Sequence, residues 1–273
     1  MRCGKLAFMN DKDLNKISDL CKSLALKGGK EAKKAFEAGA FEVSSKKDNT
    51  FLTTADTYIE SFIREIIKES FPNHSIVGEG YGTTDKNSDY RWYIDPIDGT
   101  TNFVLGIPFF CTMIGVVYKD EVAASAIYEP MTDRLFWAQK EKGAYLNKRR
   151  LKVKKGGNLS KTVLAADRVH ADYGKNDKLF YTYLNKNFDM FRSVKKMQCI
   201  GASVPKIATG EIGAYLAIGE SLYDYVPPSL IAKEAGASVL NRYGREWSPN
   251  DGEWLICTSP DFKNKLMESI KKL

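Results

Sequence analysis

Trp92-Tyr-Ile-Asp95-Pro96-Ile97-Asp98-Gly99-Thr100-Thr101-Asn102-Phe103 changes character midway, from an apolar β-prone run to two carboxylates three residues apart and then to Gly and Thr. Pro96 restricts the backbone between Asp95 and Asp98, and a turn there lets both carboxylates converge on one or two hard cations, which take oxygen ligands. A helix starting at Gly99 or Thr100 turns its free N–H groups to the same place, where phosphate is the natural occupant. The pentapeptide Asp-Pro-Ile-Asp-Gly also suits an ordinary turn, so its neighbours carry the decision.

Three neighbours favour a site. Gly78-Glu79-Gly80 ends the β-prone run from Ser75 with a carboxylate between glycines, as expected where bulk would obstruct the approach of a ligand. Asp224 precedes Pro227 and Pro228, which fit the first turn of a helix, so it sits near a helix N-terminus as a cap or as a metal ligand. Asp56, in Thr53-Thr54-Ala55-Asp56, stands at the mouth of a predicted helix with the same two readings open.

Outward from these residues, Leu14, Ile17, Leu20, Cys21 and Leu24 predict an apolar helix face from about Asp11, with Gly28 and Gly29 expected to kink or end it. Ile59, Phe62, Ile63, Ile66 and Ile67 predict a second helix that stops before Pro72. From Phe109 to Leu146, β-rich runs alternate with turn signals, the pattern of an antiparallel meander. Beyond it, strand signals at Ala214 to Ile218, Ser238 and Leu255 alternate with helical ones at Val204 to Thr209, Pro227 to Ala235 and after Pro260. The expected architecture is α+β to α/β. One catalytic domain spans 1–273, with a lobe over 1–150 holding helices and the meander and an α/β lobe over 151–273. The basic run Lys148 to Lys155 alternates with Leu151 and Val153 as an edge strand does, although such a run also suits nucleic acid or anionic lipid.

Composition excludes other chemistry. The 273 residues are 43% hydrophobic and 27% charged, a globular balance, and 41 Lys and Arg against 34 Asp and Glu leave +7, which favours anionic partners in general. Two histidines rule out a His-rich metal centre. Five scattered cysteines without a C-x-x-C pair read as reduced thiols. The first residues show no export signal, and no apolar stretch reaches the roughly 20 residues of a spanning helix. A cytoplasmic protein with no membrane partner is expected.

Together, Trp92 to Phe103, Gly-Glu79-Gly and Thr53-x-x-Asp56 resemble the inositol monophosphatase family of Mg²⁺-dependent, lithium-sensitive phosphatases. The likeness continues through Ile107-Pro-Phe-Phe, Lys142-Gly-Ala-Tyr-Leu-Asn147 and Glu234-Ala-Gly-Ala237. The resemblance implies a layered αβαβα fold, commonly a homodimer, with the site between two lobes and two or three Mg²⁺ per site. It implies that Glu79, Asp95 and the carbonyl of Ile97 hold one Mg²⁺ and that Asp95, Asp98 and Asp224 hold another. Gly99 and Thr100 match phosphate-binding positions, together with Asp98 and Asp224, and Asp56 with Thr100 matches the water-activating pair, Glu79 being counted with them as catalytic. Gly201-Ala202-Ser203 matches a substrate-lining turn, and Lys46 or Lys47 a basic position.

The chain departs from the family in two places. Asp224 follows Tyr223 rather than Trp, and Ala217 stands where inositol-preferring members carry a glutamate, with Glu220 nearby. The expected function is phosphomonoester hydrolysis on a small polyol or sugar phosphate, with inositol 1-phosphate the default. Fructose 1,6-bisphosphate, phosphoadenosine phosphate, histidinol phosphate and NADP are alternatives within the fold. A non-catalytic anion-binding protein is the alternative outside it. A small phosphate ester, not nucleic acid, is the expected partner.

Overall fold

The structure is a computed structural model that describes residues 11–46, 50–154, 156–167, 175–252 and 254–272. Cys3, Lys47, Lys155 and His170 lie outside them. The chain opens with α1 (Asp11–Ala38), the short hairpin β1 (Val43–Ser45) and β2 (Phe51–Thr53), and α2 (Thr54–Ser70). There follow β3 (Ser75–Gly78), β4 (Gly82–Thr84), β5 (Tyr90–Asp98) and a one-turn helix α3 (Thr100–Val104). The meander is β6 (Cys111–Tyr118), β7 (Glu121–Glu129), β8 (Arg134–Gln139), β9 (Gly143–Leu146) and β10 (Arg149–Arg150). The second half runs β11 (Val163–Asp167), α4 (Lys175–Asn187), β12 (Ser193–Lys195), α5 (Ile200–Ser203), α6 (Pro205–Thr209), β13 (Ala214–Ile218) and α7 (Leu222–Glu234). It ends with β14 (Ser238–Leu240), β15 (Trp254–Thr258) and α8 (Lys263–Lys271).

Eight strands form one sheet in the order β10-β9-β8-β7-β6-β5-β3-β4, and five form a second in the order β12-β11-β13-β15-β14. Side-chain alternation along the strands creates the layers. Trp92, Ile94, Ile114 and Val116 face α1 and α2, whereas Tyr93, Met113 and Ile127 face the other way, onto Val226 and Ile231 of α7. Tyr215 and Leu255 of the second sheet join that middle core, and Leu216 and Ile256 turn outward to Phe180 of α4 and Leu266 of α8. The stack is therefore αβαβα, as expected. Among the described residues, no helix is long and apolar enough to cross a membrane.

Four local expectations are corrected. Gly28 and Gly29 neither kink nor end α1; both are buried within it. A Cβ would lie 2.8 Å from Thr112 at Gly28 and 2.5 Å from Tyr128 at Gly29, so their role is close helix–sheet approach. Pro227 and Pro228 are not in the first turn of their helix, because α7 begins earlier, at Leu222. Their missing N–H groups leave the carbonyls four residues back unbonded by the helix, while Val226 and Pro227 press so close to β6 that a Cβ on Gly115 would meet them at 2.7 and 3.2 Å. Pro96 makes no turn but lies inside β5. The basic run is an edge strand only at Arg149–Arg150; beyond it Leu151 and Val153 are buried, and the Val153 N–H bonds to the carbonyl of Ala235. Two distant motifs meet in space, since both Glu234 carboxylate oxygens accept 2.8 Å bonds, from the amides of Glu141 and Gly143.

Candidate active site

Strict strand alternation would point residues three apart to opposite faces. The register of β5 against β6 passes from Asp95↔Met113 to Asp98↔Cys111, so β5 uses one residue more than its partner between the two pairs. This bulge turns both aspartates to one side, and Pro96, which has no N–H to give the ladder, fits inside it. Gly99 follows at φ +91, with a hypothetical Cβ only 3.1 Å from the Phe109 carbonyl, so glycine alone suits the junction with α3.

Oxygens of Asp95, Asp98 and Asp224 converge, all within 4.8 Å of one another. They line a cleft with Glu79, Gly99 and Thr100, roofed by Lys46 and Phe51 from the β1–β2 hairpin. Asp56 and Asp224 occupy equivalent positions in their helices, the third residue of α2 and of α7. Asp56 Oδ2 accepts from the Thr53 amide at 2.8 Å and its hydroxyl at 2.5 Å, and Asp224 Oδ2 accepts from the Ser221 amide at 2.9 Å. Capping and a place in the cluster thus coexist, because a carboxylate has a second oxygen. Among the described residues, Asp56 Oδ1, Glu79 Oε2 and Asp95 Oδ1 are buried without a hydrogen-bond partner.

Electrostatics explain the tension. Burial, then repulsion from Glu79, raises Asp56 to about 7. Burial also raises Asp98 to about 7, against the stabilising Gly201 amide and the Cys199 and Cys111 thiols. Asp95 and Asp224 are raised well above the usual carboxylate range by burial and then by repulsion from Glu79 and Asp98. Lys46, salt-bridged to Glu79 Oε1, is the counter-charge: burial disfavours its cation, but Glu79, Asp95 and Asp56 outweigh that and raise it. Five crowded carboxylates with three orphaned oxygens fit an oxygen-liganded divalent cation well.

Some expected residues take other places. The Thr100 hydroxyl donates to the Ile97 carbonyl at 2.8 Å. Gly201 does not line the cleft but holds Asp98 from behind, its amide 2.6 Å from Asp98 Oδ2, and Ala202 and Ser203 are likewise buried away from the lining. Ala217 is fully buried in β13. Gly78 and Gly80 make room not for a ligand but for Glu60, whose oxygens would lie 2.1 and 3.1 Å from a Cβ at each. Glu60 accepts from the amides of Gly80 at 2.6 Å and Tyr81 at 3.2 Å and pairs with Arg64 at 2.6 Å, all behind Glu79.

Asp167 escaped the sequence reading. It accepts from the Gln198 amide at 2.8 Å and the Tyr215 hydroxyl at 2.9 Å, and so holds Gln198 against the cleft. Its signal was the one that marked Glu79 and Asp95, an apolar strand ending in a carboxylate.

The sequence profile of the inositol monophosphatase family matches residues 13–273. The fructose-1,6-bisphosphatase/inositol-1-monophosphatase of Aquifex aeolicus is 33% identical over 243 residues, covering 88% of this chain and 90% of its own. The Nus factor SuhB of Vibrio cholerae is 30% identical over 250 residues, covering 91% and 93%. The solved inositol monophosphatase of Anabaena superposes with a TM-score of 0.81 at 25% identity, over 96% of this chain and 97% of its own.

Proposed function

The chain belongs to the inositol monophosphatase family, and from that footing we propose that it is a Mg²⁺-dependent phosphomonoesterase of small polyol or sugar phosphates, inositol 1-phosphate first among them. The observation that carries the reading is the convergence of Asp95, Asp98 and Asp224 with unpaired oxygens on Asp95, Glu79 and Asp56. Glu79, Asp95 and the Ile97 carbonyl would hold one cation, and Asp95, Asp98 and Asp224 another. Bound Mg²⁺ supplies Lewis acidity that makes water acidic and stabilises the attacking and leaving oxygens of an in-line displacement.

The chain's own groups do the rest. The amides of Gly99 and Thr100 open α3 and meet phosphate oxygens. The Thr100 hydroxyl donates its hydrogen bond to the Ile97 carbonyl, so the Thr100 oxygen stays free to accept one from a water. Asp56 Oδ1, buried and without a hydrogen-bond partner among the described residues, is the acceptor for that water's proton. Lys46 draws the phosphate in. Lithium inhibition accompanies this reading.

Ala217 offers no hydrogen-bonding side chain, so a ring hydroxyl goes unread at that position unless Glu220 or another side chain reaches it. The enzyme then favours inositol 1-phosphate over glycerol 2-phosphate only weakly, by about ten- to hundred-fold less than a site with a charged hydrogen-bond partner. Release of phosphate from a panel of esters with Mg²⁺ tests both statements. Turnover of several small esters supports them, and turnover of none contradicts them.

A further inference from the structure

Asp98 has a second face. Away from the cleft, its Oδ2 lies 3.2 Å from the sulfur of Cys199 and 3.5 Å from that of Cys111, and the two sulfurs are 3.9 Å apart. Cys111 begins β6 and Cys199 immediately precedes α5, so the register of the large sheet and the start of a middle-layer helix bring the thiols together. A tetrahedral d¹⁰ cation with metal–sulfur bonds of about 2.3 Å and a metal–oxygen bond of about 2.1 Å sets its sulfurs about 3.8 Å apart and sulfur to oxygen about 3.6 Å. The triad is already spaced that way. A disulfide would need the sulfurs at about 2.05 Å, a far larger movement.

A third sulfur is in the neighbourhood: a Cβ on Gly201 would lie 2.7 Å from Cys111 Sγ and 2.8 Å from Met113 Sδ. We propose that Asp98, Cys111 and Cys199 form a binding site for a thiophilic divalent cation of the zinc class, back to back with the oxygen-lined cleft and sharing Asp98 with it. Thiolates select zinc-class ions, whereas carboxylates and carbonyls select magnesium, so each ion keeps its own side. On binding, both thiols lose their protons to solvent and each sulfur donates a lone pair; nothing is oxidised. Asp98, which also lines the cleft, links the two sites. Its effect on turnover, weaker Mg²⁺ binding through the shared Asp98, rests on the phosphatase reading; the site itself does not.

The test is a Cd²⁺ titration of the reduced full chain carrying Cys3→Ser, with Mg²⁺ in excess, followed by thiolate-to-cadmium absorbance and proton release. The expected result is one thiolate-bound Cd²⁺ per chain with two protons released. Affinity should fall by roughly 100-fold or more in Cys111→Ser and in Cys199→Ser, and stay unchanged in Cys21→Ser and Cys257→Ser. X-ray absorption of the zinc-loaded native chain should show two sulfur neighbours, a result independent of whether the variants fold. Absence of a thiolate band, a band that survives in both variants, or a zinc shell of oxygen and nitrogen alone would overturn the proposal. Because the readouts ignore turnover and Mg²⁺ stays in excess, failure here is separable from failure of the phosphatase reading.

Discussion

The backbone N–H of Gly201 donates a 2.6 Å hydrogen bond to Oδ2 of Asp98 across 103 residues of sequence. It ties the middle helical layer to the bulge of β5 and fixes which oxygen of Asp98 faces the cleft. A Cβ at Gly201 would lie 3.0 Å from that oxygen and closer still to Cys111 and Met113. Gly201→Ala should therefore cost about 1–3 kcal/mol of stability through overpacking and lower phosphate release more than tenfold. Denaturant unfolding and a turnover assay check it; near-native values in both would mean that Asp98 needs no such anchor.

Asp95 is repelled by Glu79, Asp98, Asp224 and Asp56 in the metal-free chain. Asp95→Asn removes that repulsion, so the metal-free variant should melt a few degrees higher than the native chain, while the gain from added Mg²⁺ disappears. Melting curves with and without Mg²⁺ read both effects. A variant that melts lower and still responds to Mg²⁺ would contradict the assignment.

The pH dependence has a definite sign. Asp56 and Asp98 stand at about 7 in the fold against an ordinary 3.8, so between those values the folded chain binds more protons than the unfolded one. Metal-free stability should rise as pH falls from 7.5 toward about 5. His74 acts oppositely: burial lowers it to about 4 from 6.5, and its contribution, present above 6.5, is lost as pH falls through that window. His74 is half-exposed, so this opposing effect is about 1–2 kcal/mol after allowing for solvent. His74→Gln, which can still accept from Trp92 Nε1, should show the larger acid stabilisation. Melts across pH 5 to 7.5 decide; a native metal-free chain whose stability falls toward pH 5 in both forms would refute the carboxylate account.

Glu60 neutralises Arg64 and holds the Gly80 and Tyr81 amides. Glu60→Gln leaves a buried guanidinium without its counter-charge, at a cost of about 3–5 kcal/mol, and loosens the loop that carries Glu79. The variant should need more Mg²⁺ for half-maximal turnover. Reduced stability with an unchanged Mg²⁺ requirement would confine Glu60 to the fold.

Features carried by local period or spacing were legible in the sequence: the apolar stripes of α1 and α2, the meander, and the carboxylates of Asp95, Asp98, Glu79 and Asp224. What was not legible depends on contacts far apart in the chain. Gly28 and Gly29 look like helix breakers until Thr112 and Tyr128 show why no side chain fits. Gly78 looks like room for a ligand until Glu60 fills it. Pro227 belongs inside its helix because Gly115 of β6 receives it. Lys46 is reached only through the family resemblance, as one of two candidate lysines, because its hairpin of three-residue strands is too short to leave a periodic signal. The thiols of Cys111 and Cys199 are 88 residues apart in sequence and meet only in the fold.

Phosphate release from inositol 1-phosphate by the native chain and by Asp95→Asn across a Mg²⁺ titration decides whether the Asp95–Asp98–Asp224 cluster is a Mg²⁺-dependent phosphatase centre. The native chain should release phosphate in a saturable, Mg²⁺-dependent manner, abolished by a chelator and restored by Mg²⁺, with turnover in the variant lower by about a thousandfold or more. Release by the native chain that persists in chelator, or near-native release by Asp95→Asn, would contradict it.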